Sequence, residues 1–211
     1  KLLQLFFNGA TQIIKLNTKH KRSTEEGFLI NKENGVWLNN TDIERDKNIQ
    51  KVTEEVYLYT KDTVDTLYIQ PLVNIGAKAE DIISLSYALK RGIERLFLVE
   101  DSEIGVDTMG SPEKPNILIY EAAEGSLGVL SQLLDPVRMK EWFRESYIAM
   151  HFDPNTREET DRGKNIPKAS YEDLLSYYNQ RHHSDLNRHD IKEILEFLMD
   201  CKIEIVQDSG R

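Results

Sequence analysis

The chain has 211 residues, of which 39% are hydrophobic, so it is long enough to bury a core as one large domain or two small ones. Its 36 aspartate and glutamate residues outnumber 27 lysine and arginine residues, which gives a net charge of -9. A chain with this charge repels a phosphate backbone as a whole, so any nucleic-acid contact must come from a local basic patch. The single cysteine, Cys201, excludes an internal disulfide and a multi-thiolate zinc site.

No apolar run approaches the roughly 20 residues of a membrane-spanning helix, and the opening run K-L-L-Q-L-F-F-N-G-A is too short for a signal peptide. We therefore expect no membrane partner, and the lack of a cysteine framework fits a cytoplasmic protein. The chain starts at Lys1 directly in an apolar run. We expect it to be a piece of a longer polypeptide.

Residues 1–75 are predicted to form a β-rich subdomain. Short apolar runs alternate with polar turns there, which is typical of antiparallel strands, and Asn8-Gly9 and Asn34-Gly35 are turn signals of the hairpin type. The polar segment 39–51 predicts a loop. The strand candidates are residues 2–7, 13–16, 27–30, 36–38, 55–59 and 66–70.

Residues 76–211 are predicted to form an α/β domain, and the alternative is one continuous domain with the first subdomain. Apolar residues at spacings of three and four predict a long helix over 78–99, in which Gly92 indicates a close packing contact. Asp135-Pro136 begins another helix, because proline suits a first turn. Further candidates are helices over 170–180 and 188–200 and strands over 104–109, 117–120 and 202–206. The fold class is therefore α+β, with a β-rich N-terminal half followed by a mixed strand and helix half.

The stretch N-I-L-I-Y-E-A-A-E-G-S-L-G-V-L, residues 116–130, predicts a strand, a tight glycine turn and a helix. Backbone N–H groups at such a helix start suit an anion, but the carboxylates of Glu121 and Glu124 oppose one. A nucleotide-binding loop is absent, because the Gly163-Lys164 pair is followed by Asn165 and lacks the earlier glycine. We expect no cofactor in this segment.

Carboxylates at strand ends can hold Mg²⁺ and activate water, so a metal-dependent or degenerate nuclease is the alternative hypothesis. Its candidate residues are Asp101, Glu103, Glu121 and Glu124. The restriction-type pattern requires a basic residue two positions after the acidic one, whereas alanines follow Glu121. Our first hypothesis is therefore that the segment has no catalytic residue.

A basic group between two strand candidates is the one local positive patch of note, although a solvated hairpin tip explains it equally well. Its nucleic-acid candidates are Lys15, Lys19, Lys21 and Arg22. Tyrosines 57, 59 and 68 alternate along strands and could stack on bases, but packing within the sheet is favoured.

Three histidines cluster near Asp185, and their spacing would allow a metal site on a helix. They are His182, His183 and His189. A surface or capping role is favoured for them, because this part of the chain looks like a turn between helices.

Four separated stretches carry a family resemblance. They are S-L-S-Y-A-L-K-R-G-I-E-R-L-F-L-V-E-D-S-E-I, I-L-I-Y-E-A-A-E-G-S-L-G-V-L, H-F-D-P-N-T and A-S-Y-E-D-L-L-S-Y-Y-N-Q-R-H-H. In this order they resemble the C-terminal domain of helicases of the MrfA and DISARM DrmA kind, with the DrmA-like branch the nearer. The resemblance covers most of the chain.

The resemblance implies that residues 76–211 are an accessory domain downstream of two superfamily 2 motor domains, which would bind ATP and Mg²⁺ in a bacterial DNA helicase. It implies DNA as a partner through the parent protein and, for the DrmA-like branch, another subunit of an anti-phage defence complex. The function implied is non-catalytic positioning of DNA or of that subunit. A stand-alone protein-interaction module is a further alternative.

The chain departs from the family in its zinc-binding cysteines. The family commonly carries C-Y-x-C just before L-L-S-Y, and Ser170 and Asp173 stand at those two positions here. We therefore predict a degenerate site without zinc. Ser126 and His182 also replace residues that are usual in the family. The residues expected to matter for structure are Glu121, Glu124, Gly125, Gly128, Tyr177, Asn179 and Gln180.

Overall fold

The computed structural model describes residues 3–20, 24–72, 78–123, 125 and 127–206, and it confirms the α+β class. The strands are β1 (Leu3–Asn17), β2 (Phe28–Asn31), β3 (Trp37–Leu38), β4 (Thr53–Val56), β5 (Leu58–Pro71), β6 (Ile104–Ser111) and β7 (Lys114–Glu121). The helices are α1 (Asn40–Arg45), α2 (Lys47–Val52), α3 (Ala79–Phe97), α4 (Val129–Gln132), α5 (Pro136–Ala149) and α6 (Lys192–Asp200). Within the described ranges, no helix is long and apolar enough to cross a membrane.

The chain folds into two compact units. One comprises Lys1–Thr11 with Val64–Arg211, and the other comprises Gln12–Thr63. The boundaries of these two compact units differ from the predicted division at residue 75. That division into domains stays a prediction.

The larger unit is built on a sheet in the order β1-β5-β7-β6. Strand β7 pairs antiparallel with β5 and with β6, and the pairing of Ser111 with Lys114 leaves a two-residue turn between β6 and β7. The strands predicted over 104–109 and 117–120 are therefore confirmed, and they form a hairpin. Helix α3 packs against β6, β7 and α5, and α5 packs against α6. The main core lies among these elements.

The predicted turn at Asn8-Gly9 is wrong, because β1 runs through it as one strand. Ala10 takes a left-handed φ of 51°, and its N–H donates to Asp65 Oδ1 at 3.0 Å. The backbone is distorted at this point but the strand continues, because Asp65 of β5 accepts the hydrogen bond of the displaced Ala10 N–H.

The predicted loop over 39–51 is also wrong, because it contains the two short helices α1 and α2. Asn39 Oδ1 accepts the N–H of Asp42 at 2.9 Å, and Asp46 Oδ1 accepts the N–H of Asn48 at 2.8 Å. Side-chain caps at both N-termini outweigh the polar composition that favoured a loop.

The smaller unit contains a second sheet in the order β3-β2-β4, with both pairings antiparallel. The predicted turn at Asn34-Gly35 is confirmed: Gly35 has a φ of 72° and donates its N–H to Asn31 O at 2.7 Å. Phe28 is buried, and Trp37 packs on it edge to face at 5.9 Å between ring centroids.

The predicted helix over 78–99 is confirmed as α3, and so is the close contact at Gly92. A Cβ at this position would lie 2.9 Å from the backbone N and 3.0 Å from the Cα of Ser146 on α5. Trp142 of α5 donates its Nε1–H to Leu89 O of α3 at 2.8 Å. The two helices therefore approach until a glycine is required between them.

Two predicted elements near the C-terminus are wrong. Residues 170–180 form turns followed by a 3-10 helix, Tyr177–His182, instead of an α-helix. The described residues 202–206 form no strand. In the first case serine, aspartate and asparagine side chains bond to nearby backbone groups and so compete with helical hydrogen bonds.

We predict that Gly92→Ala lowers the free energy of unfolding by roughly 1 to 3 kcal/mol, because the added methyl group meets backbone atoms that cannot rotate away. Urea unfolding followed by tryptophan fluorescence measures this. Gly9→Ala is the matched control, since a Cβ there would meet its nearest atom at 3.5 Å. Equal stability of the two variants would contradict the close-contact explanation.

Candidate functional site

Glu121 ends β7 and is fully buried. Its Oε2 accepts the N–H of Gly128 at 2.7 Å, and its Oε1 accepts the N–H of Leu130 at 2.8 Å. Both carboxylate oxygens thus hold the start of α4, where Gly128 has a left-handed φ of 69°. Gly125 has a φ of 88° in the same turn. The carboxylate therefore serves to shape the strand-to-helix connection.

The other candidate nuclease carboxylates have separate partners. Asp101 forms an ion pair with Lys90 of α3, and Glu103 Oε2 accepts the N–H of Glu100 at 2.7 Å. Glu124 lies outside the described residues. Among the residues that the structure describes, no group of three or more His, Cys, Asp or Glu side chains could hold a metal ion.

Ser170 and Asp173, the positions where the resemblance implies cysteines, close a turn by hydrogen bonds. Asp173 is fully buried, and its Oδ1 accepts the N–H of Ser170 at 2.8 Å while its Oδ2 accepts the Ser170 hydroxyl at 2.5 Å. Arg91 of α3 donates from Nε to Asp173 O at 2.7 Å. The turn is thus tied to α3 by the arginine.

The side chain of Arg188 is entirely buried and organises the segment between α5 and the Ser170 turn. It forms an ion pair with Glu159 and lies over the ring of Phe152 at 5.3 Å. Its guanidinium donates to the backbone carbonyls of Met150, Gly163, Ile166 and Pro167. These hydrogen bonds pair backbone carbonyls that would otherwise be unpaired, and so they stabilise an irregular segment.

A cleft of about 680 Å³ lies beside the C-terminal half of α3 and the segment that Arg188 holds. Its lining residues are Arg91, Glu94, Arg95, Leu98, Val99, Ile148, Ala149, His151, Thr160, Arg162, Tyr171 and Glu172. The three arginines are paired with carboxylates, namely those of Glu94, Glu145 and Glu172, at 2.7, 3.1 and 2.7 Å respectively. The cleft therefore presents balanced charge.

His151 is a partly buried titratable base in this cleft. Its Nε2 has no hydrogen-bond partner and lies 3.7 Å from Asp173 Oδ2. Burial lowers the pKa of His151, and the Arg188 charge lowers that pKa further, whereas Asp173 opposes both effects. Burial likewise raises the pKa of Glu94, against the attraction of Arg91 and Lys90. Desolvation thus outweighs the nearby charges at both groups.

The 3-10 helix Tyr177–His182 is set by a buried polar pair. The N–H of Ser176 donates to Asn179 Oδ1 at 2.8 Å, and Asn179 Nδ2 donates to Leu174 O at 2.7 Å. His183 Nε2 lies 3.0 Å from Ser176 O, which fits the capping role favoured for it. Of the motif residues predicted here, Asn179 is buried, whereas Tyr177 and Gln180 are exposed.

The predicted nucleic-acid patch lies in the smaller unit. Lys15 and Lys19 are exposed there, and Lys21 and Arg22 lie outside the described residues. Tyr59 is 67% exposed. Sequence reasoning missed the buried side chain of Arg188, since nothing in its neighbourhood along the chain marks it as buried.

Comparisons with known proteins give one likeness. No protein-family model matches the sequence, and no curated protein matches it. The crystal structure of a DUF1998 helicase, MrfA, bound to DNA is similar, with a TM-score of 0.47 and 8% identity over 91% of this chain and 25% of that chain. This chain thus spans a quarter of that helicase, and a likeness at this level carries no argument about the site.

We predict that Arg188→Lys lowers the free energy of unfolding by roughly 3 kcal/mol, because an ammonium group cannot serve the same set of buried carbonyls as a guanidinium. Urea unfolding measures this. The control is Arg138→Lys, at an ion pair whose arginine side chain is 50% exposed, where the expected change is below about 0.5 kcal/mol. A similarly small change at Arg188 would show that the network contributes little.

We predict that His151 makes folding sensitive to mild acid. The lowered pKa keeps this imidazole neutral in the folded state, so the unfolded chain takes up the proton first as pH falls below about 6.5. Stability is therefore lost between that pH and the lower folded-state pKa. His151→Asn, which tolerates the left-handed φ of 61°, should lose less stability than the unsubstituted protein between about pH 7 and 5.5.

Urea unfolding at each pH tests this prediction, with His20→Gln in the smaller unit as the exposed-histidine control. Burial also lowers the pKa of His182, so the His151 variant removes only part of the slope. An unchanged slope in His151→Asn would contradict the assignment.

Proposed function

We propose that this chain is a non-catalytic accessory domain of a bacterial DNA helicase or translocase, where it positions DNA or a partner subunit. The observation that carries the proposal is that the motif residues are buried and bond to the backbone. Glu121, Asp173 and Asn179 are each fully or almost fully buried and bond to backbone groups. Residues that are buried and bonded in this way stabilise the fold.

A reactive carboxylate needs access to water or to a metal ion, and Glu121 has neither in this arrangement. The side chain is fully buried, and each oxygen accepts a backbone N–H. Moving it toward a metal would leave two helix-start N–H groups unpaired. The geometry therefore favours the accessory role over the nuclease alternative.

The finer parts of the proposal rest on the sequence resemblance. ATP and Mg²⁺ would be bound by motor domains outside this segment, and the parent protein would act in the cytoplasm as part of an anti-phage defence complex. DNA contact would use local surfaces, because the net charge of -9 disfavours a broad electrostatic footprint. Lys15 and Lys19 are candidates for such a surface.

We predict that the purified chain cleaves neither single-stranded nor duplex DNA in Mg²⁺ or Mn²⁺, and that Glu121→Gln acts on stability alone. The amide retains one acceptor oxygen and loses the charge-assisted bonds, so the free energy of unfolding should fall by about 1 to 3 kcal/mol. Gel-based cleavage assays and urea unfolding make the two measurements.

Glu113→Gln is the matched control, since Glu113 is exposed in the β6–β7 turn and should change neither quantity. Metal-dependent cleavage that disappears in a Glu121→Gln protein of unchanged stability would overturn the proposal in favour of a nuclease. Co-elution with the motor domains or with a neighbouring subunit on size exclusion would support the positioning role.

A further inference from the structure

We propose that the segment 176–183, which we term the tyrosine turn, is a stacking surface for unpaired nucleotides of single-stranded DNA. This inference rests on the proposed function and specifies a contact for it. Tyr177 is 76% exposed and Tyr178 is 67% exposed. Their rings meet edge to face, with 5.7 Å between centroids and an interplanar angle of 88°. Their planes are therefore not parallel, so a base would stack on an open ring face.

The exposed large apolar side chains of the chain segment that contains this turn are aromatic. Between residues 168 and 191 they are Tyr171, Tyr177 and Tyr178. In the same segment Leu174, Leu186 and Ile191 are buried, and Leu175 is partly buried. A docking site for an aliphatic protein segment would expose such side chains, whereas flat aromatic faces suit nucleobases of any sequence.

The backbone of the tyrosine turn is held by hydrogen bonds from buried polar side chains. Ser176 and Asn179 cap each other's backbone reciprocally, and His183 Nε2 lies 2.9 Å from Asn179 Oδ1. Asn179 is only 1% exposed, so a buried polar network fixes a turn whose outer residues face solvent. A backbone that is fixed before binding loses less conformational entropy when a ligand arrives.

A cation follows the two tyrosines in the same 3-10 helix. The Arg181 side chain is 72% exposed, and its Nη2 is 3.3 Å from Asp107 Oδ1 of β6. An exposed ion pair of this kind contributes little, so the guanidinium can exchange its carboxylate for a backbone phosphate. Arg181 also donates from Nε to His182 Nε2 at 2.9 Å, which orients it. Asp107 and Asp185 are the acidic groups that face this pair.

The chemistry favours a single strand over a duplex. Base faces are open only in unpaired nucleotides, whereas a duplex offers mainly phosphates. The chain's net charge of -9 opposes the denser charge of a duplex more strongly. Aromatic stacking with one guanidinium is therefore the more favourable use of this surface.

The test measures fluorescence anisotropy of the whole chain with a dye-labelled oligo-dT and with a duplex of equal length. Tyr177→Ala with Tyr178→Ala should weaken oligo-dT binding at least about tenfold, since each stacked base is worth about 1 to 3 kcal/mol by alanine substitution. Tyr177→Phe with Tyr178→Phe keeps both rings and should stay within about twofold of the unsubstituted protein. Duplex binding should change little in either variant.

Two controls separate this surface from others. Tyr59→Ala removes an exposed tyrosine of the smaller unit and should leave oligo-dT affinity unchanged. Arg181→Ala should lower the slope of log affinity against log salt by about 0.7, the value expected for one lost phosphate contact on a single strand.

Unchanged oligo-dT affinity in the double alanine variant would overturn the inference, and so would a chain that binds no oligo-dT. If affinity instead depends on Lys15→Ala and Lys19→Ala, DNA positioning stands and its surface lies in the smaller unit. Loss of co-elution with a partner subunit, without loss of DNA binding, would assign the turn to protein contact. The cleavage assay with Glu121→Gln judges the proposed function independently of these outcomes.

Discussion

The buried guanidinium of Arg188 is the interaction on which the larger unit most depends. The segment from Met150 to Pro167 contains little regular structure, so its carbonyls cannot be paired within a helix or a sheet. The planar guanidinium of Arg188 donates N–H hydrogen bonds to these carbonyls, and the Glu159 carboxylate offsets its charge. One wall of the cleft, including His151, is consequently in place before any ligand or partner arrives.

The same physical device recurs at three other points of the larger unit. Glu121 holds the start of α4, Asp173 closes the Ser170 turn, and Asn179 sets the tyrosine turn. In each case a buried side chain satisfies backbone groups that an irregular path leaves unpaired. The pair at Ser170 and Asp173 is instructive, because hydrogen bonds close a turn at positions where the resemblance implies metal-binding cysteines.

In this arrangement some side chains stabilise the fold, and others remain exposed for contact with another molecule. Of the carboxylates that suggested metal chemistry in the sequence, Glu121 and Glu103 bond to backbone N–H groups and Asp101 pairs with Lys90. Two tyrosines and one arginine are instead exposed on the tyrosine turn. A fold stabilised in this way suits the positioning of another molecule, since preorganised contacts bind without reordering the chain.

The amino-acid pattern by itself determined the elements whose signals are local. Helix α3, the β6–β7 hairpin and the close contact at Gly92 follow from apolar spacing, from a turn between two strands and from a glycine inside a helical pattern. The motifs that contain Glu121 and Asn179 also predict that these residues matter for structure, which stays a prediction. Tertiary structure alone decided that β1 passes through Asn8-Gly9, because Asp65, far along the chain, pairs with the displaced backbone. It likewise decided the burial of Arg188, since the carbonyls and the carboxylate that surround its side chain come from distant residues and no local pattern encodes such partners.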